Sequence, residues 1–177
     1  VYAGIPFCPT RCSYCSFVSR TVGDKATRAL VQPYVDKLCA ELTAIRETAD
    51  RCGLHIRTFY IGGGTPTCLG AGYLSEILQA VGACFIIAEN AEITVECNPE
   101  SVDKKMFRAL FKAGVNRLSM GVQSAHDDEL LALGRLHTFQ QARQAVAEAK
   151  LFKSLNVDMI FNFPAQTEDT LIHDIEM

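Results

Sequence analysis

The chain alternates short apolar runs with longer stretches of helical periodicity. Residues 2–6 form a brief apolar run that ends at Pro6 and opens into a cysteine-rich loop. Over residues 33–51 the spacing is helical, with Tyr34, Leu38, Leu42, Ile45 and Ala49 on one face. A β-rich run at 56–61 stops abruptly at Gly62-Gly63-Gly64, and residues 72–85 are helical again, with Leu74, Ile77, Leu78 and Val81 in phase. A strand at 91–95 is broken by Asn98-Pro99, after which Ser101 reads as the N-cap of a helix carrying Met106, Phe107, Leu110 and Phe111 and ended by Gly114. Lys104 stands three residues after Ser101 instead of Glu, so no full capping box is predicted there. A fourth strand is expected at 115–122, helices near 128–133 and 139–152, a fifth strand at 157–163 ending at Pro164, and a last helix opening at Thr167.

Strand, loop, helix and strand thus succeed one another five times, which predicts an α/β fold of parallel strands joined by right-handed crossovers. The Gly, Pro and polar residues without a packing duty fall after the strands, at the end where barrels and open α/β sheets place their sites. There is no repeat, linker or low-complexity tract, and residues 1–177 read as one domain or part of one. The chain has no initiator Met and stops at Met177 within helical spacing, so a piece of a longer protein is expected.

Composition narrows the function. Net charge is −3 without a run of either sign, which gives no electrostatic reason to expect nucleic acid or an acidic membrane surface. No apolar stretch approaches the roughly 20 residues of a membrane helix. Residues 1–6 resemble neither a signal nor a transit peptide, and a reducing, cytoplasmic setting is expected. Of eight cysteines, Cys8, Cys12 and Cys15 are crowded together, while Cys39, Cys52, Cys68, Cys84 and Cys97 are scattered through apolar segments and are expected to be buried as small apolar side chains.

Cys8-Pro-Thr-Arg-Cys12-Ser-Tyr-Cys15 spaces three thiols so that a tight loop can wrap them round one corner of an iron–sulfur cluster. An electron-carrying cluster normally has four Cys ligands, so three leave one iron open. Zinc is the rival reading, although it wants a fourth ligand nearby and the closest His, His55, is forty residues on. Reactive or structural thiols are a third.

This spacing, with aromatic Tyr14 just before the last Cys, resembles the radical S-adenosylmethionine superfamily. The resemblance implies a [4Fe–4S] cluster on Cys8, Cys12 and Cys15 whose open iron chelates S-adenosylmethionine, and a 5′-deoxyadenosyl radical that abstracts hydrogen from substrate. The wider string Tyr2-Ala-Gly-Ile-Pro6-Phe-Cys8, with Cys15-Ser-Phe17-Val18-Ser19, is similar to the branch holding oxygen-independent coproporphyrinogen III oxidases, coproporphyrinogen dehydrogenases and haem chaperones. It implies a partial (β/α)6 barrel of the TIM type, with about five units in this chain and the sixth unit and C-terminal substrate domain absent.

The later strand ends carry the resemblance onward. Gly63, Gly64 and Thr65, in Gly-Gly-Gly-Thr-Pro-Thr, let backbone approach a ligand and match the family turn that holds the methionine moiety. Glu96 in Glu-Cys-Asn-Pro matches a cofactor-binding carboxylate, its plainer reading being a solvated strand end. Gln123 matches a cofactor-contacting Gln or is structural, and Arg135 matches a carboxylate-binding Arg, whose guanidinium fork suits that task, or is a surface Arg. Asp158 matches the residue on the ribose or adenine side. Tyr2 matches a Tyr facing substrate or cofactor, or belongs to the core. Asn162 departs from the family's Gly, though Asn tolerates unusual backbone angles better than most residues. The four His show no ligand spacing, and no role is assigned to them.

Two functions follow from the resemblance. One is radical oxidative decarboxylation of coproporphyrinogen III in haem synthesis without oxygen; the other is a haem chaperone. Phe17 stands where well-characterised bacterial oxidases carry a fourth Cys, an ending shared by the chaperone branch and the dehydrogenase branch, and the loop as a whole looks most like the dehydrogenases. The implied partners are a porphyrinogen or haem and an electron donor such as a flavodoxin or ferredoxin.

Overall fold

The computed structural model describes residues 1–17, 19–164 and 166–177. Val18, within the Cys15–Ser19 string, lies outside the described residues. The chain runs β1 (Tyr2–Ile5), β2 (Phe7–Cys8), β3 (Arg20–Thr21), α1 (Lys25–Arg28), α2 (Val31–Arg51), β4 (His55–Gly63) and α3 (Ala71–Cys84). It continues through β5 (Ile86–Cys97), α4 (Lys104–Lys112), β6 (Arg117–Gln123), α5 (Asp127–Ala132), α6 (Phe139–Glu148), β7 (Ser154–Met159) and α7 (Glu168–Glu176). The main sheet has the order β1-β4-β5-β6-β7, and every pair in it is parallel, so the predicted α/β architecture with five strands is present. β2 and β3 form a separate two-stranded pair that carries Cys8.

Strand periodicity sorts the side chains into two faces. Ile5, Phe59, Ile61, Ile93, Val95, Leu118 and Met120 are buried in one apolar cluster with Leu74, Ile77 and Val81 of α3 and Phe107 and Leu110 of α4. Each such burial stabilises the fold by about 1.5–3 kcal/mol relative to exposure. The intervening residues are polar: Glu92, Thr94 and Glu96 on β5, Arg117, Ser119 and Gln123 on β6, Asn156 and Asp158 on β7. The register lines them up, Glu96 beside Ser119 and Ser119 beside Asn156. One face of the sheet is therefore the core and the other a polar surface that leads to the site.

Several boundaries differ from expectation. α2 starts two residues ahead of Pro33, because a proline in the first turn lacks only an N–H that has no helical partner anyway. Its buried stripe is Val31, Val35, Leu42 and Ala49, while Ile45 is exposed. α4 is capped by Asp103, whose side chain accepts from Met106 N at 2.7 Å, and not by Ser101, which closes a 3-10 turn at Pro99–Ser101 with Asn98. The helix expected at 139–152 ends at Glu148 and gives way to a 3-10 turn, Ala149–Leu151. β7 lies three residues earlier than predicted. Its register runs from Arg117↔Ser154 to Gln123↔Met159, and after it Ile160 and Phe163 are half-buried while Phe161 stands exposed. Asn162, next to Phe161, has φ +63°, the left-handed conformation for which the family's Gly is suited and Asn is tolerated. Of the scattered cysteines, Cys84 and Cys97 are buried and Cys39 and Cys68 half-buried, but Cys52 is exposed, because it sits past the last turn of α2. Among the described residues no helix is long and apolar enough to cross a membrane.

Candidate functional site

The C-terminal ends of the strands surround a cavity of about 170 Å³. Cys8, Cys12, Tyr14, Cys15, Gly63, Gly64, Thr65, Glu96, Gln123, Arg135 and Asp158 all line it. Tyr2 does not; it stacks on Tyr60, with ring centroids 5.9 Å apart and planes 16° off parallel.

The glycine turn after β4 is pressed against the start of the cysteine loop. Gly64 N donates to Ile5 O and Thr65 N to Phe7 O, both at 2.7 Å. A Cβ on Gly64 would collide with the Phe7 carbonyl and lie 2.9 Å from Cys8 Sγ, so only glycine permits this approach. Thr65 Oγ1 donates to Cys8 Sγ at 3.6 Å and accepts from Asn98 Nδ2 at 3.0 Å.

Glu96 is not a solvated strand end. Its two oxygens accept from Tyr60 Oη at 2.7 Å and from Gly63 N at 3.0 Å. Burial raises its carboxyl above the ordinary value, the two hydrogen bonds oppose this, and the charge of Asp158 adds to the rise. Asp158 is held on both oxygens as well, by Asn156 Nδ2 at 2.6 Å and Ser119 Oγ at 3.1 Å. Gln123 has φ +80° at a bulge in the β6–β7 pairing, and a bulge re-aims a side chain. Gly121 makes room for it, since a Cβ there would lie 2.7 Å from Gln123 Nε2.

Arg135 is 9% exposed, so it is not a surface arginine. Its Nη2 donates to Gly121 O at 2.9 Å, and its Nη1 lies 3.5 Å from Cys12 Sγ and 3.4 Å from Tyr14 Oη. Behind it, Glu100 Oε2 is 3.8 Å from Nη2 and 2.9 Å from His137 Nδ1. Burial pushes Glu100 up, but the His137 hydrogen bond and the Arg135 charge outweigh it and hold the carboxyl below its usual value. Burial pushes the Tyr14 phenol up to about 12.

Tyr60, Asn98, Glu100, Ser119, His137 and Asn156 were not singled out by sequence. For Tyr60, Ser119 and Asn156 the period-2 alternation of β4, β6 and β7 was the available signal. For Asn98, Glu100 and His137 there was none, because their partners are distant along the chain. Among the described residues no three His, Cys, Asp or Glu side chains are gathered closely enough to hold a metal ion. Cys8 and Cys12 instead meet the hydroxyl of Thr65 and the guanidinium of Arg135.

The chain is 34% identical to the haem chaperone HemW of Haemophilus influenzae, over 99% of its own length and 46% of that protein. It is also 34% identical to the oxygen-independent coproporphyrinogen III oxidase of Cereibacter sphaeroides, over 99% of its own length and 38% of that protein. The chain therefore spans less than half the length of these relatives. Among solved structures, the coproporphyrinogen III oxidase HemN of Escherichia coli, titled a radical SAM enzyme, superposes with a TM-score of 0.89 at 26% identity, covering 99% of this chain and 40% of that one. The Radical SAM superfamily model matches residues 2–177, and the cofactors of that superfamily are a [4Fe–4S] cluster and S-adenosylmethionine. With that match across almost the whole chain, the protein belongs to the Radical SAM superfamily.

Proposed function

We propose that Cys8, Cys12 and Cys15 hold a [4Fe–4S] cluster beside a bound S-adenosylmethionine, for the oxygen-independent oxidation of coproporphyrinogen III. The observation that carries this is the convergence of three thiols, a glycine cradle and a buried arginine on one cavity. The residues suit the group. Soft thiolates are iron–sulfur ligands, Gly64 lets the turn lie directly against Cys8 Sγ, and the buried Arg135 Nε has no hydrogen-bond partner among the described residues. When bound, the cluster and S-adenosylmethionine supply a 5′-deoxyadenosyl radical for hydrogen abstraction.

The chain's own part is to bind, orient and shield. Gly63, Gly64 and Thr65 bring backbone and a hydroxyl to the methionine end, where Glu96 takes the ammonium and Arg135 the carboxylate. Gln123 and Asp158 serve the nucleoside end, and Tyr2 acts on Glu96 through Tyr60. Tyr14 packs against the guanidinium beside Cys12. A flavodoxin or ferredoxin is the expected reductant, and the cytoplasm the expected setting.

A second reading, haem delivery to target proteins, is favoured by Phe17 in place of a further Cys and by relatives named as haem chaperones. Anaerobic reconstitution of the full-length protein is expected to give a broad visible absorption that is absent in Cys8→Ala, Cys12→Ala or Cys15→Ala. A colourless, zinc-loaded protein would overturn the cluster assignment. With reductant and S-adenosylmethionine, 5′-deoxyadenosine should accumulate. Given coproporphyrinogen III, vinyl product supports the oxidase, whereas stable haem binding without turnover replaces it with the chaperone.

A further inference from the structure

At the back of the cavity, Glu100, Arg135 and His137 form a cluster of buried charge. Their side chains are 13%, 4% and 0% exposed, and they come from two distant segments, the turn after β5 and the stretch between α5 and α6. His137 is clamped at both ring nitrogens, Nε2 lying 3.1 Å from Val122 O and Nδ1 2.9 Å from Glu100 Oε2. A carbonyl only accepts, so Nε2 carries a proton, and a further proton lies on the line between Nδ1 and Oε2 whichever atom holds it. Glu100 is thereby oriented with the oxygen that His137 engages also facing Arg135 Nη2. Arg135 in turn reaches Cys12 Sγ and Tyr14 Oη.

The same stretch holds the cysteine loop by its backbone. Ser13 N donates to Leu133 O and Ser13 Oγ to Ala132 O, each at 3.2 Å. Gly134, at φ +76°, supplies the left-handed backbone that turns this stretch where it meets the cysteine loop. Residues 9–17 have no helix or strand of their own, so these contacts decide where Cys12 stands.

We propose that Glu100 and His137 are positioning residues that hold the Arg135 guanidinium on the sulfur of Cys12, and that this held charge raises the reduction potential of the cluster. The inference rests on the reading of Cys12 as a cluster ligand. Its physical basis is that hydrogen bonds and positive charge at a ligand sulfur favour the reduced, more negative cluster. His137 does not line the cavity and Glu100 lines it next to Arg135; each acts on Cys12 through Arg135.

The test is a double-mutant cycle on the full-length protein, reconstituted anaerobically with iron and sulfide, with the midpoint potential read by EPR during reductive titration. Arg135→Met is expected to lower the midpoint, and so is Glu100→Asp, which keeps the negative charge but withdraws it from Arg135 and His137; the double variant should match Arg135→Met alone. His137→Gln should move it in the same direction, and Arg135→Lys, which keeps the charge, should recover part of the loss. The proposal is overturned if Glu100→Asp and His137→Gln leave the midpoint at its original value or raise it, or shift it equally when Arg135 is already Met. A second measurement needs no cluster: in the cofactor-free full-length protein, hydrogen exchange at the Ser13 and Cys15 amides should quicken about tenfold in Glu100→Gln and in Arg135→Met, and no further in the double variant. Unchanged exchange removes the holding role. Failure of the original protein to take up any cluster instead removes the proposed function, leaving the exchange result to decide the holding by itself.

Discussion

At the scale of single residues, the glycines around the site differ sharply in what they do. Gly64→Ala pushes a methyl into the Phe7 backbone and toward Cys8 Sγ, neither of which is the free end of a side chain. It is expected to cost about 1–3 kcal/mol in urea unfolding and to abolish iron uptake, measured as iron per chain. Gly82→Ala, in α3 with nothing within 4 Å, is expected to stabilise by about 0.5–1 kcal/mol in the same assay. The two half-buried glutamates of the site also separate, by sign. Glu96 has a folded-state value raised by burial, so the fold binds its proton more tightly than the unfolded chain does. Stability from Glu96 is therefore full below the ordinary carboxylate value and is lost as pH rises through the raised one. For Glu100, burial is outweighed by His137 and Arg135 and the value is depressed, so its contribution is present above the ordinary value and lost as pH falls through the lowered one. Urea midpoints measured across pH should show Glu96→Gln removing a decline on the rising side and Glu100→Gln flattening the acid limb.

At the scale of elements, helix ends and strand registers show which parts of the structure local sequence dictates. Asp103→Ala removes the cap of α4 and is expected to cost about 1 kcal/mol of stability by chemical denaturation. Ser101→Ala should instead loosen the turn after β5, because Ser101 Oγ lies 2.6 Å from Thr67 Oγ1 and accepts from Asn98 N at 3.1 Å. Both residues are good N-caps by type, and only the Pro99–Ser101 turn between β5 and α4 decides which one serves. β7 departs from the sequence expectation for a related reason. Residues 157–163 are the more apolar stretch, but Ser154 and Asn156 face the polar side of the sheet and so read as loop. The α/β alternation, the glycine turn and the three-cysteine loop were legible because each is a local pattern. Asn162 was legible too, since its tolerance of left-handed backbone is a property of the residue itself. The contacts that complete the site were not: His137 meets Glu100 across 37 residues and Arg135 meets Cys12 across 123.

At the scale of the molecule, five parallel strands leave two edges, β1 and β7, each paired on one side among the described residues. Val157 and Met159 on β7 and Phe161 just after it are exposed, and Ile175 of α7 is exposed as well. Unpaired strand edges flanked by apolar surface favour association. Produced as these 177 residues, the chain is expected to self-associate with rising concentration in sedimentation velocity, and Phe161→Asp should reduce this. The reach between Arg135 and Cys12 also has a meaning in time. A ribosome releases the three thiols first and the arginine that braces one of them only after more than a hundred further residues, a delay on the order of ten seconds at ordinary elongation rates. During that interval the nascent cysteine loop lacks its brace at Cys12 and is open to oxidants and stray ions. Cluster insertion into a correctly shaped loop therefore belongs after synthesis of this half of the site, and growth under oxidative stress should damage the newly made protein before it damages the finished one.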